Sequence, residues 1–325
     1  ARDSREDDLV LCTFTGGASA LTPALHPEIP LADMQRLTCM LLECGATIHE
    51  INTLRKHLSR FSGGSLVRAA FPATVLGLIV SDVVGDDLDV IASGPTVPDP
   101  STFADCLRVV EHYGLRWKMP QSIWAHIEGG LQGRTPETPK ADEPAFGRVR
   151  NVLVASVKQA LEAAADEAAR CGFVPRILTT AMSGEARRTA EQLVAEARRA
   201  QAGLRPGDAP LCLLAGGETT VTIRGSGKGG RNQETALAAT LELADDRGID
   251  LICVGTDGTD GPTDAAGGYA FSGDLARLRA IGLHPKESLD ANDSYPLLLK
   301  AGTLLRTGPT RTNVMDMAIM LVRPK

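Results

Sequence analysis

The chain has 325 residues, of which 43% are hydrophobic and 23% are charged, and its formal net charge is −6. This composition is typical of a globular protein long enough for two domains, and the negative charge argues against a broad surface for nucleic acid. No apolar run approaches the roughly 18 residues of a transmembrane helix, and the first residues lack the basic-then-apolar order of a signal peptide. We therefore expect a cytoplasmic protein with small-molecule partners, bound to neither membrane nor nucleic acid, and the sequence leaves a homodimer open.

Short apolar runs alternate with helical patterns along the chain. The predicted strands are residues 8–14, 73–80, 151–156, 173–180, 210–216 and 250–256, and the predicted helices are residues 31–44, 51–61, 102–113, 156–170, 183–202 and 231–244. This alternation predicts an α/β protein with buried, mainly parallel sheets. The seven cysteines are scattered without a C-x-x-C pair, which favours reduced thiols over disulfides or zinc ligands.

The segment 133–148 contains three prolines and mixed charges without an apolar period. Such a segment is typical of a linker or an exposed loop. We place the domain boundary there, between an N-terminal domain of residues 1–135 and a C-terminal domain of residues 150–325. A long surface loop within one domain is the alternative.

The loop after the first predicted strand contains Gly16, Gly17 and Ser19. Two glycines let backbone N–H groups approach a ligand closely, and ligands of α/β folds collect beyond the carboxyl ends of the strands. The loop is therefore a candidate anion site, although a plain tight turn explains it equally well.

The second loop, residues 81–99, begins where the second predicted strand ends and places Asp82 at that end. Mg²⁺ prefers one or two carboxylates together with water and phosphate oxygens, so Asp82 is a candidate metal ligand. At least two of its four acids (Asp82, Asp86, Asp87 and Asp89) are expected to be solvated loop charges or helix caps. Ser93, Gly94 and Thr96 form a polar turn further along the same loop.

The third loop is the most informative, because it combines glycines with two cations near a predicted helix start. Gly225, Gly227 and Gly230 match G-x-G-x-x-G, but the preceding residues 215–224 are interpreted as a hairpin with a Gly-Gly-Glu turn, which weakens the dinucleotide interpretation. Lys228 and Arg231 lie at the start of the helix, where anions bind. The sequence therefore predicts a phosphate ligand, with a basic surface turn as the alternative.

The fourth loop, residues 254–268, follows a buried strand, and Asp257 lies nearest the strand end. Turn chemistry explains Asp260 and Asp264 as well as ligand binding does. Asn292 and Asp293 are further candidates for the same site, with helix capping as the default interpretation. No two histidines have metal-ligand spacing, and His57, beside Arg55 and Lys56, is predicted to lie on a solvated helix face.

Taken in order, these loops resemble the glycerate 2-kinase family, whose C-terminal part is called the MOFRL domain. The resemblance lies in residues 16–21, 46–59, 81–99, 213–221, 225–234, 255–268, 292–294 and 312–316, and places the MOFRL region at about residues 208–322. It is nearest to the forms found in animals. It implies two α/β domains that face a central cleft, a Rossmann-like N-terminal domain, ATP and Mg²⁺ as cofactors, and 2-phosphoglycerate as the product.

The resemblance also implies residue roles and departures. Arg231 is expected to contact phosphate or substrate, and a lysine-bearing segment is expected before the first residue of this chain, so we expect an N-terminal piece to be missing. Ser62 stands where members have lysine, and Arg311 where they have a small residue. The expected cofactor-binding residues are Gly225, Gly227, Gly229, Gly230, Asn232, Glu234 and Gly258, and the expected substrate-binding residues are Gly16, Gly17, Ser19, Lys56, Ser93, Gly94, Thr96, Asn292 and Asp293.

The resulting hypothesis is a small-molecule kinase, because phosphoryl transfer needs positioning and charge neutralisation more than covalent chemistry. Lys228 and Arg231 hold phosphate oxygens, and Asp82 or Asp257 binds Mg²⁺ or accepts the proton of the glycerate 2-hydroxyl. The amides of residues 15–19 or Lys56 bind the substrate carboxylate. The alternatives are a nicotinamide-dependent hydroxypyruvate or hydroxyacid reductase, based on G-x-G-x-x-G, and a non-catalytic ligand-binding fragment.

Overall fold

The computed structural model describes residues 1–244 and 246–325. The chain divides into two compact units, residues 1–154 and residues 155–325. Helices and strands alternate in both, so the predicted α/β class is confirmed. None of the described helices is both long and apolar enough to cross a membrane.

The first unit contains a three-stranded sheet in the order β1-β2-β3. Its strands are β1 (Leu9–Phe14), β2 (Thr74–Val80) and β3 (Val149–Ala155). β1 and β2 are parallel, with Leu9 opposite Thr74 and Phe14 opposite Ile79. Their carboxyl ends therefore lie at the same edge of the sheet, where the first two candidate loops begin.

Six α-helices complete the first unit. They are α1 (Ala18–Leu21), α2 (Leu31–Glu43), α3 (Ile48–Leu58), α4 (Ser65–Ala70), α5 (Phe103–His112) and α6 (Gln121–Leu131). α3 begins three residues before the predicted start, because Thr47 and Glu50 form a capping box there. The core packs Leu54 of α3 against Phe103 of α5 and Ile123 of α6, all fully buried; α6 is a helix that the sequence analysis missed.

The second unit contains a six-stranded sheet in the order β4-β5-β9-β6-β7-β8. The strands are β4 (Val174–Glu185), β5 (Leu211–Thr220), β6 (Ile249–Gly255), β7 (Gly267–Phe271), β8 (Leu304–Leu305) and β9 (Asp316–Val322). Its helices are α7 (Val157–Arg170), α8 (Ala186–Ala202), α9 (Arg231–Glu242), α10 (Asp274–Ala280), α11 (Pro285–Asp290) and α12 (Ser294–Ala301).

The strand directions of this second sheet differ from the mainly parallel arrangement that we predicted. β4 and β5 are parallel, whereas the C-terminal strand β9 lies between β5 and β6 and is antiparallel to both. β7 is antiparallel to β6, and β8 to β7. The sheet is therefore mixed. An apolar run indicates a buried strand but not its direction, which is why the pattern could not show this.

The predicted hairpin at residues 215–224 is wrong. β5 runs without interruption to Thr220, so Gly216 and Gly217 lie inside a strand. A β-carbon on Gly216 would lie 2.3 Å from Val157 of α7, and Gly217 has a φ of 146° directly against the backbone of Met182. The two glycines therefore permit close packing and do not form a turn.

The proline-rich segment 133–148 packs within the first unit. Thr138 is buried and donates to Asp99 over 2.9 Å, and Glu137 accepts from the backbone amide of Phe103 over 2.8 Å. β3 follows this segment and lies beside β2. Residues 150–154 therefore lie in the first compact unit, whereas the boundary that we predicted places them after the linker.

Candidate active site

Asp82 lies at the carboxyl end of β2, against the loop that follows β1. A β-carbon on Gly16 would lie 1.9 Å from its Oδ2, so only glycine leaves room for the carboxylate there. The side chain is half-buried, and burial raises the pKa of its carboxyl. It forms no ion pair with any residue that the structure describes. A half-buried carboxylate with a raised pKa and no cationic partner is suited to accept a proton or bind a cation.

Ser19 and Ser93 form a chain of hydroxyl groups with Asn52. The two hydroxyl oxygens are 2.9 Å apart, and Ser93 donates to Oδ1 of Asn52 over 3.0 Å. Because Ser93 has a single hydroxyl proton, Ser19 donates to Ser93 in this arrangement. Asn52 is buried on α3 and was missed as a site residue, although it lies within the family motif of residues 46–59.

A cavity of about 350 Å³ opens beside these hydroxyls, and its lining includes Ser19, Ser93, Ser59, Ser62 and Arg55. Within the described chain, Arg55 makes no hydrogen bond or ion pair, and burial lowers the pKa of its guanidinium. Arginine nevertheless stays charged in proteins. An unpaired guanidinium beside several hydroxyls is suited to a small carboxylate ligand, and the sequence analysis did not single out Arg55.

Lys56 and His57 are buried, so the predicted solvated helix face is wrong. Only 3% of Lys56 is exposed, and its Nζ lies 2.9 Å from Asp89 Oδ2 and 3.5 Å from Asp99 Oδ1. His57 contacts Glu137 through Nε2 over 3.1 Å. Lys56 already forms ion pairs with two carboxylates, whereas its neighbour Arg55 has no carboxylate partner among the described residues. Asp89 is thus an ion-pair partner and not a solvated loop charge.

Thr96 lies away from this cavity. It is buried, its hydroxyl donates to Asn151 Oδ1 over 2.7 Å, and its backbone oxygen accepts from Asn151 Nδ2 over 3.1 Å. These bonds attach the polar turn to β3. Gly94 lies in the same turn, and its backbone oxygen accepts from Gly64. Of the predicted turn residues, Ser93 lines the cavity, while Thr96 and Gly94 hold the turn in place.

In the second unit, four backbone amides of the glycine loop 224–230 donate to residues 291–293. Asn292 Oδ1 accepts from the amides of Arg224 and Gly225 over 2.7 and 3.0 Å. Asp293 Oδ1 accepts from the amide of Lys228 over 2.8 Å. Three amides of the loop where we predicted phosphate are therefore bonded to the protein's own side chains.

The glycines of the loop allow this close approach. β-Carbons on Gly227 and Gly229 would lie 2.5 Å from Asp293 and 2.2 Å from Ser294, respectively. Asp293 lies at the N-cap of α12, the position that the default interpretation gave it, but its carboxylate makes no capping bond to the helix. Asn292 also donates to Glu234 Oε2 over 2.9 Å, and Glu234 accepts from Arg187 over 2.7 Å. Glu234 is buried, so this network fixes the loop to α9.

The N-terminus of α9, where we predicted phosphate, holds the carboxylate of Asp260. The amides of Asn232 and Gln233 donate to Asp260 Oδ1 and Oδ2 over 3.1 and 2.9 Å. Asp260 is 3% exposed, and burial raises its pKa. An internal anion thus satisfies the helix terminus. The sequence analysis preferred Asp257, whose carboxylate accepts from the amide and hydroxyl of Thr259.

Arg231, at the start of α9, is held by two carboxylates. Its Nε lies 2.5 Å from Asp316 Oδ2, its Nη2 lies 2.9 Å from Asp316 Oδ1, and its Nη1 lies 2.7 Å from Glu218 Oε1. Burial by itself would lower the pKa of the guanidinium, but the hydrogen bond and charge of Asp316 outweigh it and the pKa is raised. Asp316 is fully buried and was missed as a site residue, although it ends the matched motif 312–316.

Lys228 is the more open of the two predicted cations. It is exposed, its Nζ lies 4.4 Å from the centre of the Tyr295 ring, and it has no carboxylate partner among the described residues. Gly258 packs against Gly308, since a β-carbon there would lie 2.0 Å from the Gly308 oxygen. Lys228 is therefore free to contact an anion, whereas Gly258 serves the packing of two loops.

Comparison with known proteins identifies the family. A model described as domain of unknown function DUF4147 matches residues 1–128, and the MOFRL family matches residues 211–316. The glycerate 2-kinase of Pyrococcus horikoshii is 46% identical over 323 residues, which are 99% of this chain and 72% of the relative. The chain belongs to the glycerate kinase family. The motif-based resemblance is thereby confirmed.

A solved structure of the glycerate kinase family agrees with this fold. The crystal structure of glycerate kinase from Thermotoga maritima matches with a TM-score of 0.90 and 43% identity, over 99% of this chain and 74% of that chain. Mouse glycerate kinase is 40% identical over 98% of this chain and 68% of the relative. The archaeal relative is thus more similar than this animal form, contrary to our expectation.

One relative carries the name of a different enzyme. A protein of Agrobacterium vitis named putative hydroxypyruvate reductase is 44% identical over 97% of this chain and 70% of the relative. That name corresponds to the alternative reaction that the G-x-G-x-x-G match suggested.

Proposed function

We propose that this protein is a glycerate 2-kinase, which transfers the γ-phosphoryl group of ATP to the 2-hydroxyl of D-glycerate and yields 2-phosphoglycerate. The observation that carries the proposal is the 46% identity with a glycerate 2-kinase along 99% of the chain. We propose further that the first unit is the N-terminal domain of the family and that the second contains its MOFRL region. The cytoplasmic location and the homodimer stay predictions.

The glycerate carboxylate binds Arg55 in this proposal. Arg55 has no partner in the described chain and lines the cavity together with Ser19 and Ser93. The two hydroxyls can bond to the glycerate hydroxyls, since each oxygen keeps acceptor capacity. Lys56, our earlier candidate, is less suited because Asp89 and Asp99 already match its charge.

Asp82 accepts the proton of the attacking hydroxyl. Its raised pKa and lack of a cationic partner support this role, since a base works best when its pKa is near the working pH. Asp257 is then the carboxylate available for Mg²⁺, because among the described residues its two oxygens accept only from Thr259 and keep lone pairs free. When bound, the ion would neutralise charge on the phosphate oxygens.

The ATP phosphates contact the side chains of Lys228 and Arg231 in this proposal. Asn292, Asp293 and Asp260 already accept from the amides of Gly225, Lys228 and Gln233. Lys228 is exposed and has no carboxylate partner in the described part of the chain, and Arg231 uses three of its N–H groups on Asp316 and Glu218. An arginine has five such groups, so two remain for a phosphate oxygen while the two carboxylates hold the guanidinium still.

The second candidate is a hydroxypyruvate reductase, which the name of the Agrobacterium vitis relative favours. A dinucleotide fold would need free amides at the glycine loop and at the following helix, and here Asn292, Asp293 and Asp260 already accept from the amides of Gly225, Lys228 and Gln233. This geometry supports the kinase over the reductase.

The test is a direct comparison of the two reactions. Purified protein is incubated with ATP, Mg²⁺ and D-glycerate while 2-phosphoglycerate is measured, and separately with NADH and hydroxypyruvate while absorbance of NADH is followed. The kinase proposal predicts product in the first assay and no NADH oxidation in the second. The reverse result would establish the reductase, and ATP binding with turnover in neither assay would establish a non-catalytic binding protein.

A further inference from the structure

The first unit brings His26 and Glu28, which are two positions apart, together with the distant His126. His26 and Glu28 belong to the segment between α1 and α2, and His126 lies on α6. One donor atom from each of the three side chains lies within 4.8 Å of the other two, and the centres of the two imidazole rings are 4.4 Å apart. Residue spacing does not reveal such a group, because 98 positions separate Glu28 from His126.

The hydrogen bonds of His126 determine which of its nitrogens is free. Nε2 lies 2.9 Å from the backbone oxygen of His57, and a carbonyl oxygen only accepts, so Nε2 carries the hydrogen. In the neutral ring Nδ1 is then a bare lone pair. Nδ1 lies 2.9 Å from Oε1 of Glu28, which is also an acceptor. Two acceptors at this distance need a positive species shared between them.

We propose that His26, Glu28 and His126 form a binding site for one divalent transition-metal ion of the zinc class. Two imidazole nitrogens and one carboxylate oxygen are the donor set that zinc and its neighbours prefer, whereas Mg²⁺ prefers oxygen alone. A metal-bound histidine usually donates its other N–H to a carbonyl or carboxylate, which is the bond that His126 makes to His57. This site is separate from the Mg²⁺ that accompanies ATP.

The surroundings leave room for a further ligand on the metal. The side chain of Glu28 is 54% exposed, and His26 lines a cavity of about 280 Å³ that also contacts Arg60 and Arg68. Arg60 donates to the backbone oxygen of Leu25 over 3.1 Å. Its positive charge repels a bound cation, and the negative charge of Glu28 offsets this repulsion. Three protein ligands with an open position would allow water or a small anion to complete the coordination.

Metal binding at this site would also be linked to the position of α3. The carbonyl that His126 contacts belongs to His57, two residues after Arg55 on the same helix. The ion would thus connect the segment 26–28 to α6 and, through His126, to the end of α3. The proposal rests on this geometry alone and does not depend on the kinase reaction.

Cobalt binding tests the site, because Co²⁺ replaces Zn²⁺ and gives visible absorption bands when nitrogen ligands bind it. Metal-stripped protein is titrated with Co²⁺, and competition with Zn²⁺ gives the zinc affinity. The variants are His26→Asn and Glu28→Gln, and the matched control is His49→Asn, an exposed histidine on α3 outside the cluster. We avoid His126 because its bond to His57 also supports the fold.

We expect one equivalent of Co²⁺ with visible bands in the parent protein and in His49→Asn, and at least tenfold weaker binding in the other two variants. Thermal unfolding of the metal-free variants should match the parent protein, which separates ligand loss from misfolding. Absence of the bands from the parent protein would show that a proton alone bridges His126 and Glu28, and equal affinity in all four proteins would show that Co²⁺ binds elsewhere; either result would overturn the proposal.

Discussion

The guanidinium of Arg231 forms a two-point ion pair with the carboxylate of Asp316, through Nε at 2.5 Å and Nη2 at 2.9 Å. Asp316 is fully buried at the start of β9, and Asn232 also donates to it over 2.9 Å. This pair fixes the direction of the guanidinium at the N-terminus of α9. It also makes Arg231 important for stability as well as for the proposed phosphate contact.

Replacement of Arg231 should therefore reduce both activity and stability. Arg231→Ala removes a phosphate contact, and loss of one such electrostatic contact typically lowers kcat by about 10²–10³-fold. It also leaves the buried carboxylate of Asp316 without its partner, which costs about 3–5 kcal/mol for fully buried pairs and less here because Arg231 is one-third exposed. Steady-state kinetics and urea unfolding measure the two effects.

The control for this prediction is Arg188→Ala. Arg188 is an exposed arginine on α8 whose partner, Glu191, lies one turn away. It should leave both quantities unchanged. Full kinase activity in Arg231→Ala would remove Arg231 from the proposed site.

Arg55 and Lys56 are adjacent, but replacing Arg55 should weaken glycerate binding, whereas replacing Lys56 should lower stability. Arg55→Gln removes an unpaired cation that lines the cavity, so KM for glycerate should rise about 10- to 100-fold, the range of a charged hydrogen bond, without loss of stability. Lys56→Met leaves Asp89 and Asp99 without their shared cation, so the melting temperature should fall. Kinetics and thermal unfolding of both variants make the comparison. An unchanged KM in Arg55→Gln would show that glycerate binds elsewhere.

Replacement of Asp82 should make the protein more stable but less active. Burial raises its folded-state pKa, so the stabilising contribution of the protonated form is present below the unfolded pKa and is lost as pH rises through the folded pKa. At neutral pH the ionised side chain is thus unfavourable for folding. Asp82→Asn should raise the melting temperature at neutral pH and lower kcat.

The same carboxyl should set the acidic side of the pH profile. If Asp82 is the base, kcat falls as pH drops through its raised pKa, and this inflection should be absent from the residual activity of Asp82→Asn. Glu43→Gln, at the exposed end of α2, is the control. A profile that is identical in Asp82→Asn would contradict the assignment.

Asp260 should be a structural residue. Asp260→Ala leaves the amides of Asn232 and Gln233 and the Gln233 side chain without their acceptor, so the free energy of unfolding should fall by about 1–3 kcal/mol. Asp257→Ala loses only local bonds to Thr259 and should cost less than about 1 kcal/mol. Denaturant unfolding of the two variants measures this difference. Equal losses would mean that Asp260 does not hold the helix terminus.

Local pattern accounts for much of the fold. The predicted strands at 8–14, 73–80 and 250–256 correspond to β1, β2 and β6, and the predicted helix at 156–170 corresponds to α7. The chain direction then places Asp82 and Asp257 at strand ends, as we predicted. These features depend on alternation, propensity and turn composition, which neighbouring residues determine.

The partners of the polar side chains could not be predicted in the same way. Lys56 pairs with Asp89, 33 positions away, Asn292 binds Gly225 across 67 positions, and Arg231 pairs with Asp316 across 85. Each pairing decides whether a charge or an amide is available to a ligand. Composition and spacing do not show which distant residue forms a hydrogen bond or ion pair with a given side chain.

The sequence by itself determined the α/β class, the order of the loops and the glycerate kinase family, because short-range patterns and ordered motifs are properties of the chain. Only the tertiary structure decided that Arg55 is the unpaired cation beside Lys56, and that Asp260 fills the terminus where phosphate was expected. It also decided the antiparallel position of β9 and the meeting of His26 with His126. The physical reason is that burial and charge pairing depend on contacts between segments far apart along the chain.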